Sequence, residues 1–277
     1  MRSVRDAGQI ALITILVLAV GATVALSLIA RTTIDTSISS QVEESSRAFS
    51  AAEAGVEQAL QSGQGGTQIV ANGVTYNATV ATVGGNAAVY QLPSKTPEGS
   101  TETVWFVNHN ADGSINEAVT FTGASLDICW SYEQPVQPAI AMGILYKAAS
   151  DGSYRVARDA FDPDSGRANT NHFTVIPSPP SGGCGQSNYY RRTINFAAYG
   201  INPAADILLA LRLRPVYVQT QFAFDPGSFT IPLQGSQIVS TGTTQTGVTR
   251  KVVVNKSYAS APTLFDATVF SESAFSH

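Results

Sequence analysis

The sequence predicts an α+β protein in which one long N-terminal helix is followed by an antiparallel β-rich globular domain. Two observations lead to this class. An uncharged apolar run near the N-terminus continues into a stretch with helical spacing, and no Pro or Gly interrupts residues 31–54. After Gly66 the chain changes to short alternating segments separated by Gly, Pro, Asn and Asp. The first half of the helix is predicted to span a membrane, and the second half is predicted to be amphipathic.

The membrane-spanning half is predicted at residues 10–30. No charged residue occurs from Ala7 to Ala30, and most of the run is Ala, Leu, Ile and Val. A helix of about 20 apolar residues crosses a hydrocarbon core of about 30 Å, whereas a secretory signal has an apolar stretch of only about 7–15 residues. Arg2 and Arg5 precede the run, so we expect the N-terminus to stay cytoplasmic and the rest to be exported.

The second half of the helix is predicted to end near Gln61, where the letters SGQGG supply a stop. The predicted helix therefore covers residues 9–62. Its apolar residues recur at steps of three, four and seven, which keeps them on one face that we expect to lie on a domain. These residues are Ile34, Ile38, Val42, Phe49, Ala52, Val56 and Leu60.

Small residues on the same half form a packing pattern. Ala48, Ala51, Ala52 and Gly55 give small-x-x-x-small spacing, which lets another element approach the helix closely. Two partners are equally compatible with this pattern: neighbouring helices in an assembly, and the chain's own β domain.

The β-rich domain is predicted at residues 67–277 and outside the cytoplasm. The predicted strands begin with alternation over Val74, Tyr76, Ala78 and Val80, and the stretch Ala204–Leu213 is compatible with either a strand or a helix. The other predicted strands are Thr103–Asn108, Asn116–Thr122, Leu126–Tyr132, Ile140–Tyr146, Tyr154–Ala157, His172–Ile176, Thr193–Tyr199, Ile207–Arg212, Val216–Phe224, Gln237–Ser240 and Thr249–Asn255.

The chain has two cysteines, Cys129 and Cys184, without the spacing of a metal cluster. An exported domain makes a disulfide between them the favoured interpretation, and two unrelated buried thiols are the alternative. The net charge of −4 is spread along the chain, so nothing builds the basic face that nucleic acid requires.

Metal binding and catalysis find little support in the sequence, and we expect no cofactor and no enzyme. The stretch 107–117 has calcium-loop-like spacing but lacks the closing Glu, so a hairpin turn at Asp112–Gly113 is favoured. In the letters DAFDPDSGR, which hold Asp159, Asp162 and Asp164, Pro and Gly favour a solvated turn over a metal site. The three histidines, at positions 109, 172 and 277, lack ligand spacing, and no nucleophile elbow or phosphate loop occurs.

Two parts of the sequence resemble type IV pilus proteins. The N-terminus resembles a prepilin leader, because basic residues are followed by Gly8 and then by an uninterrupted apolar helix. This resemblance implies that a prepilin peptidase cuts between Gly8 and Gln9 and removes residues 1–8. The letters RAFSAAEAGVEQAL, Arg47–Leu60, resemble the helix of PilX-type minor pilins, and Ile231–Ser271 is similar to the C-terminal part of PilX-like pilus assembly proteins. Major pilins carry Glu at the fifth position after the cut, where this chain has Ile13.

The resemblance implies a structural subunit of a type IV pilus or related filament, with the Ile13 departure favouring a minor or pilin-like subunit. The implied partners are the prepilin peptidase, other pilin subunits, the pilus assembly platform, and membrane lipid before assembly. The implied location is the inner or single cytoplasmic membrane, with the C-terminal domain exported, and then a cell-surface filament. The alternative is a single-pass anchored surface binding or adhesion protein that does not polymerise.

Overall fold

The computed structural model describes residues 4–71, 73–86 and 88–266, and it confirms the predicted α+β class. The helix α1 (Val4–Ser62) is continuous over 59 residues. At 1.5 Å per residue its length is about 88 Å. Side chains are described from residue 11 onward, apart from those of residues 72, 87, 264 and 265.

Strands and short helices make up the described remainder. A short helix α2 spans Ser165–Asn171, and 3₁₀ turns lie at Phe196–Tyr199 and Thr263–Asp266. The strands are β1 (Gly66–Ala71), β2 (Val74–Asn86), β3 (Tyr90–Gln91), β4 (Glu102–Trp105), β5 (Val107–His109), β6 (Ile115–Thr120), β7 (Ser125–Ser131), β8 (Ala139–Lys147), β9 (Tyr154–Asp162), β10 (Thr174–Val175), β11 (Tyr189–Asn195), β12 (Ile207–Val216), β13 (Phe222–Asp225), β14 (Ile231–Thr243) and β15 (Thr249–Ser257).

The chain divides into two compact units, Met1–Val80 with Ile238–Val254, and Ala81–Gln237 with Asn255–His277. In the first unit, helix α1 packs on strand segments of a sheet whose order is β1-β2-β14-β15. Strands from two distant parts of the sequence therefore support the helix.

The second unit is built from a five-stranded sheet of order β10-β9-β8-β12-β4, a four-stranded sheet of order β11-β7-β13-β3, and the hairpin β5-β6. Its core gathers large aromatic and aliphatic side chains from these elements. Strand β8 shows the alternation that builds this core, since Ile140, Met142, Ile144 and Tyr146 are buried while the residues between them are half-exposed.

The structure settles several local alternatives. Residues 207–216 form strand β12, not a helix, because both neighbours β8 and β4 pair with it. Asp112 and Gly113 form the turn of the β5-β6 hairpin, and Ser114 donates its backbone N–H and its hydroxyl to Asp112 at 2.9 and 2.6 Å. The hairpin interpretation of this stretch is confirmed.

The interpretation of DAFDPDSGR as a solvated turn was wrong. Asp162 is fully buried at the end of β9 and forms a 2.7 Å ion pair with Arg167. Asp164 is the N-cap of α2 and accepts a hydrogen bond from the backbone N–H of Arg167. Asp159 accepts a 2.7 Å hydrogen bond from the hydroxyl of Tyr199. The three carboxylates each serve a different part of the fold.

Candidate functional site

The N-terminal half of α1 presents large apolar side chains on every side. Eleven such residues between positions 12 and 29 are each more than half exposed: Leu12, Ile13, Ile15, Leu16, Val17, Leu18, Val20, Val24, Leu26, Leu28 and Ile29. At about 1 kcal/mol each for the exposed part, keeping this surface in water costs roughly 10 kcal/mol. That cost is comparable with the whole stability of a typical domain. The segment therefore requires an apolar environment.

Two threonine hydroxyls in or next to this half are satisfied by the helix itself. The Thr23 hydroxyl donates to the carbonyl of Val20 at 2.8 Å, and the Thr32 hydroxyl donates to the carbonyl of Leu28 at 2.9 Å. Such back-bonding leaves no unpaired hydroxyl donor at these positions when the helix enters an apolar medium. The helix is long and apolar enough to cross a membrane, which is consistent with single-pass anchoring.

Gly8 and Gln9 lie inside α1, so the bond between them is helical in this chain. Glycine in a helix is less favourable than alanine by about 1 kcal/mol. Local unwinding, which a protease needs in order to bind an extended segment, therefore costs little at Gly8.

The C-terminal half of α1 is buried on the first unit's sheet through its small residues. Ala48, Ala51, Ala52 and Gly55 are all buried, as is Ala59. Of the two partners compatible with this pattern, the structure therefore provides the chain's own β-sheet.

The contact between helix and sheet is a close backbone approach at Gly242 of β14. A Cβ at position 242 would overlap the carbonyl oxygen of Ala48 and would lie 2.7 Å from the backbone nitrogen of Ala52. On the helix side, a Cβ at Gly55 would lie 2.6 Å from the Tyr76 ring and would overlap the Ser240 hydroxyl. Glycine is thus required on both surfaces. Gly242 was not predicted as a packing residue, because it lies between the predicted strands Gln237–Ser240 and Thr249–Asn255.

The predicted apolar stripe is divided differently from what we expected. Of its members, Ala52 and Val56 are buried on the sheet. The others are exposed: Ile34, Ile38, Val42, Phe49 and Leu60. Ile34, Ile38 and Val42 precede residue 44, where the contacts from the β14-β15 hairpin begin. Phe49 and Leu60 are exposed for a steric reason, because a sheet that approaches to backbone contact fits small residues and leaves bulky ones outside the contact.

Polar contacts fix the start of the packed half. The Thr246 hydroxyl donates to Glu44 at 2.6 Å, and Arg250 Nε donates to the Ser45 hydroxyl at 2.8 Å. The hydrogen bond from Thr246 lowers the pKa of Glu44 below its usual value, with a further contribution from Thr244. Thr246 lies in the β14-β15 loop and Arg250 lies on β15, so this hairpin holds the helix from one side.

The predicted disulfide is confirmed. Cys129 on β7 is bonded to Cys184 in the loop before β11, with Cα atoms 6.1 Å apart. Both cysteines are buried with Tyr189 and Ala223. The bond ties the four-stranded sheet of the second unit to a loop 55 residues further along the chain.

The remaining candidate residues lie apart from one another. His109 stacks on Tyr258 with ring centroids 3.9 Å apart, and burial lowers the pKa of its imidazole. His172 is the C-cap of α2, and His277 lies outside the described residues. Among residues 4–71, 73–86 and 88–266, no group of three or more His, Cys, Asp or Glu side chains could hold a metal ion.

Comparisons of this chain with known protein families, curated proteins and solved structures find no match. The fold and the site nevertheless define a class of protein. It is a β-rich protein carrying one continuous N-terminal helix, apolar on all sides in its first half and packed on its own sheet in its second half.

Proposed function

We propose that this chain is a minor pilin or pilin-like structural subunit of a type IV pilus or related filament. The observation that carries the proposal is the division of α1 into two halves. Residues 11–43 expose nearly all their side chains, whereas the small-residue face of residues 48–59 is buried on the chain's own sheet. The helix is thus firmly attached to a folded unit while its apolar half remains available to other molecules.

On this proposal, assembly moves the apolar half of α1 from one apolar environment to another. Residues 11–30 are held in the membrane first and then enter a bundle of sister helices. Because both environments are apolar, the transfer changes little hydrophobic free energy, and packing of side chains decides its direction. The exposed residues Ile34, Ile38 and Val42 extend the apolar surface beyond the membrane segment, which suits contact with neighbouring subunits.

Processing on this proposal begins with a prepilin peptidase. The enzyme cuts between Gly8 and Gln9, and the pilus assembly platform then extracts the shortened helix from lipid. The resemblance of residues 1–60 and 231–271 to PilX-like proteins supports this step. In the C-terminal segment 231–271 that carries the second resemblance, residues 231–257 form the β14-β15 hairpin that holds α1. Residues 267–271 of that segment lie outside the described residues.

N-terminal sequencing of the chain from sheared surface filaments tests the proposal. We expect Gln9 as the first residue, and we expect a Gly8→Val variant to keep residues 1–8 and to disappear from the filaments. Gly21→Val is the matched control, because a Cβ at Gly21 meets nothing within 4 Å. Recovery of the unmodified chain only from membranes, with Met1 retained, would refute the proposal.

A single-pass anchored surface binding protein is the second candidate. It is favoured by Ile13, which replaces the carboxylate that major pilins carry at the fifth position after the cut. A buried carboxylate in lipid is costly unless it is paired, so its absence suits a helix that stays in the membrane. In the same sequencing experiment this candidate predicts an intact leader in both glycine variants.

A further inference from the structure

One end of the second unit collects four connecting segments from its two larger sheets. Strands β7, β9 and β12 end there, and strands β8, β11 and β13 begin there, as their pairing registers show. The segments are residues 132–138, 163–173, 176–188 and 217–221, and we call their surface the loop face. Segments gathered at one end of a rigid sheet scaffold are a frequent position of binding residues in β-rich proteins.

Amide side chains outnumber charged ones on the loop face. Its four segments contain eight Asn or Gln residues and three charged residues, Glu133, Asp164 and Arg167. An amide group both donates and accepts hydrogen bonds, as does the hydroxyl group of a sugar. The eight amides, of which six are exposed, are Gln134, Gln137, Asn169, Asn171, Gln186, Asn188, Gln219 and Gln221.

Arg167 of α2 connects three segments of the loop face. Its guanidinium donates to the Gln137 carbonyl at 2.8 Å and to Asp162 at 2.7 Å, and it lies over the Tyr217 ring at 4.3 Å. Asp162 is fully buried, and the ion pair balances the arginine charge. An anionic ligand would have to compete with this buried carboxylate for the guanidinium, so the arrangement favours a neutral ligand.

The same ion pair has hydrogen-bonding atoms without partners. Asp162 Oδ2 and Arg167 Nε are buried, and neither has a hydrogen-bond partner among the described residues. Buried polar atoms of native proteins are normally hydrogen-bonded, so both positions call for a further group. A hydroxyl group suits such a pair, because it accepts from a nitrogen and donates to a carboxylate.

Tyr217 is held in an unfavourable backbone conformation on the loop face. Its φ is 76°, which bulky residues rarely adopt. Its hydroxyl accepts a hydrogen bond from Asn171 Nδ2 at 2.6 Å. Within the described part of the chain, the three non-glycine residues with positive φ all lie on the loop face, namely His172, Cys184 and Tyr217. Backbone strain of this kind concentrates at functional sites.

Tyr132 supplies a second aromatic ring. It packs against the buried Tyr190 with ring centroids 5.9 Å apart, and its hydroxyl accepts a hydrogen bond from Gln134. Tyr132 and Tyr217 are both half-buried, and an exposed amide holds the hydroxyl of each. A tyrosine ring beside an amide offers an apolar surface next to hydrogen-bonding groups, which matches the alternation of C–H and hydroxyl groups on a sugar.

We propose that the loop face binds a neutral carbohydrate. Tyr132 and Tyr217 contact the apolar faces of sugar rings, and Gln134 and Asn171 hydrogen-bond to the hydroxyl groups. A protein partner is disfavoured, because protein interfaces are centred on apolar and aromatic anchors. Among the described residues of the loop face, Val136 is the one large aliphatic side chain as much as 40% exposed. The proposal does not rest on the filament function, since it uses no residue of α1.

Binding of the full-length chain to immobilised neutral oligosaccharides tests the proposal. The probes are oligosaccharides of glucose, mannose, galactose and N-acetylglucosamine, in a detergent that lacks a sugar headgroup. We expect binding to at least one probe and an affinity at least about tenfold lower for Tyr217→Ala, because a ring contact and a held hydroxyl are both lost. Tyr154→Ala is the matched control and should bind like the natural chain, since Tyr154 is 68% exposed at the opposite end of β9.

A double variant, Gln134→Ala with Asn171→Ala, separates binding from folding. Both residues are exposed, so the variant should keep the thermal unfolding temperature of the natural chain while its affinity falls about tenfold. If Tyr217→Ala does not fold, the double variant decides. The proposal is overturned by no binding to any neutral probe, by binding to sulfated or carboxylated glycans alone, or by unchanged affinity in the double variant. Equal affinities of folded Tyr217→Ala and Tyr154→Ala would also overturn it.

Discussion

The approach of β14 to the helix predicts that Gly242→Ala separates α1 from its sheet. One added methyl group would overlap the Ala48 carbonyl oxygen, and both atoms belong to main chains that no rotamer change can move. Either the strand or the helix must therefore shift. Overpacking of a fixed contact typically costs 1–3 kcal/mol, and a backbone-to-backbone clash belongs at the upper end, so we expect about 3 kcal/mol.

Hydrogen exchange measured by mass spectrometry provides a local assay for this loss. We expect faster exchange of the amides of residues 44–59 in Gly242→Ala, because helix stability there comes from packing on the sheet. Gly66→Ala is the matched control, since Gly66 lies in the same unit and a Cβ there meets nothing within 4 Å. Unchanged exchange in Gly242→Ala, or equal acceleration in both variants, would show that the close approach is not what holds the helix.

Three further predictions concern contacts elsewhere in the chain. Replacing both Cys129 and Cys184 by Ser should destabilise the second unit by about 4 kcal/mol in the chain-entropy model for a 55-residue separation, measured by denaturant unfolding. Glu44→Gln should loosen the start of the packed helix at neutral pH, measured by hydrogen exchange. Because the pKa of Glu44 is lowered in the folded chain, the stabilisation by its carboxylate is present above about pH 4.5 and is lost as pH falls through the folded pKa. Arg212→Met should release the chain segment that ends at Asp266, measured as faster proteolysis after residue 257, since the guanidinium holds two carbonyls and a carboxylate of that segment.

Each of these predictions has a control. The double Ser variant should be insensitive to reducing agents, whereas the natural chain should approach its stability when reduced. Glu43→Gln keeps the Thr246 contact of the neighbouring glutamate, so its exchange should match the natural chain at residues 44–59. Arg214→Met should leave the segment protected, because the described hydrogen bonds to Ala261 and Pro262 come from Arg212. Equal effects within either matched pair would contradict the corresponding contact.

Buried regular strands and the helix were predictable from sequence because their patterns come from local periodicity. The predicted strand Ile140–Tyr146 alternates in burial and lies within β8, and the uninterrupted helical stretch forms α1 as expected. Strand β1 was missed because its six residues are all exposed and carry no alternation. Helix α2 was missed because its seven residues have no apolar face and depend on the cap at Asp164.

The candidate site was only partly predictable for a different reason. Spacing identified the small residues Ala48, Ala51, Ala52 and Gly55, but it could not choose their partner, because packing on a sheet and packing on a helix require the same small side chains. Their partner strand β14 lies almost 200 residues further along the sequence. A contact of that range leaves no signal in local periodicity.

The unbroken passage of α1 from its exposed apolar half onto the sheet also has a mechanical consequence. A tensile force along the rod would reach the first unit as shear, shared among contacts spread over residues 44–59, a length of about 24 Å. Parallel loading of this kind resists rupture better than peeling contacts one after another. Single-molecule pulling from the N-terminal end should therefore detach the helix from its sheet in one abrupt event, and a series of small steps would contradict shared loading.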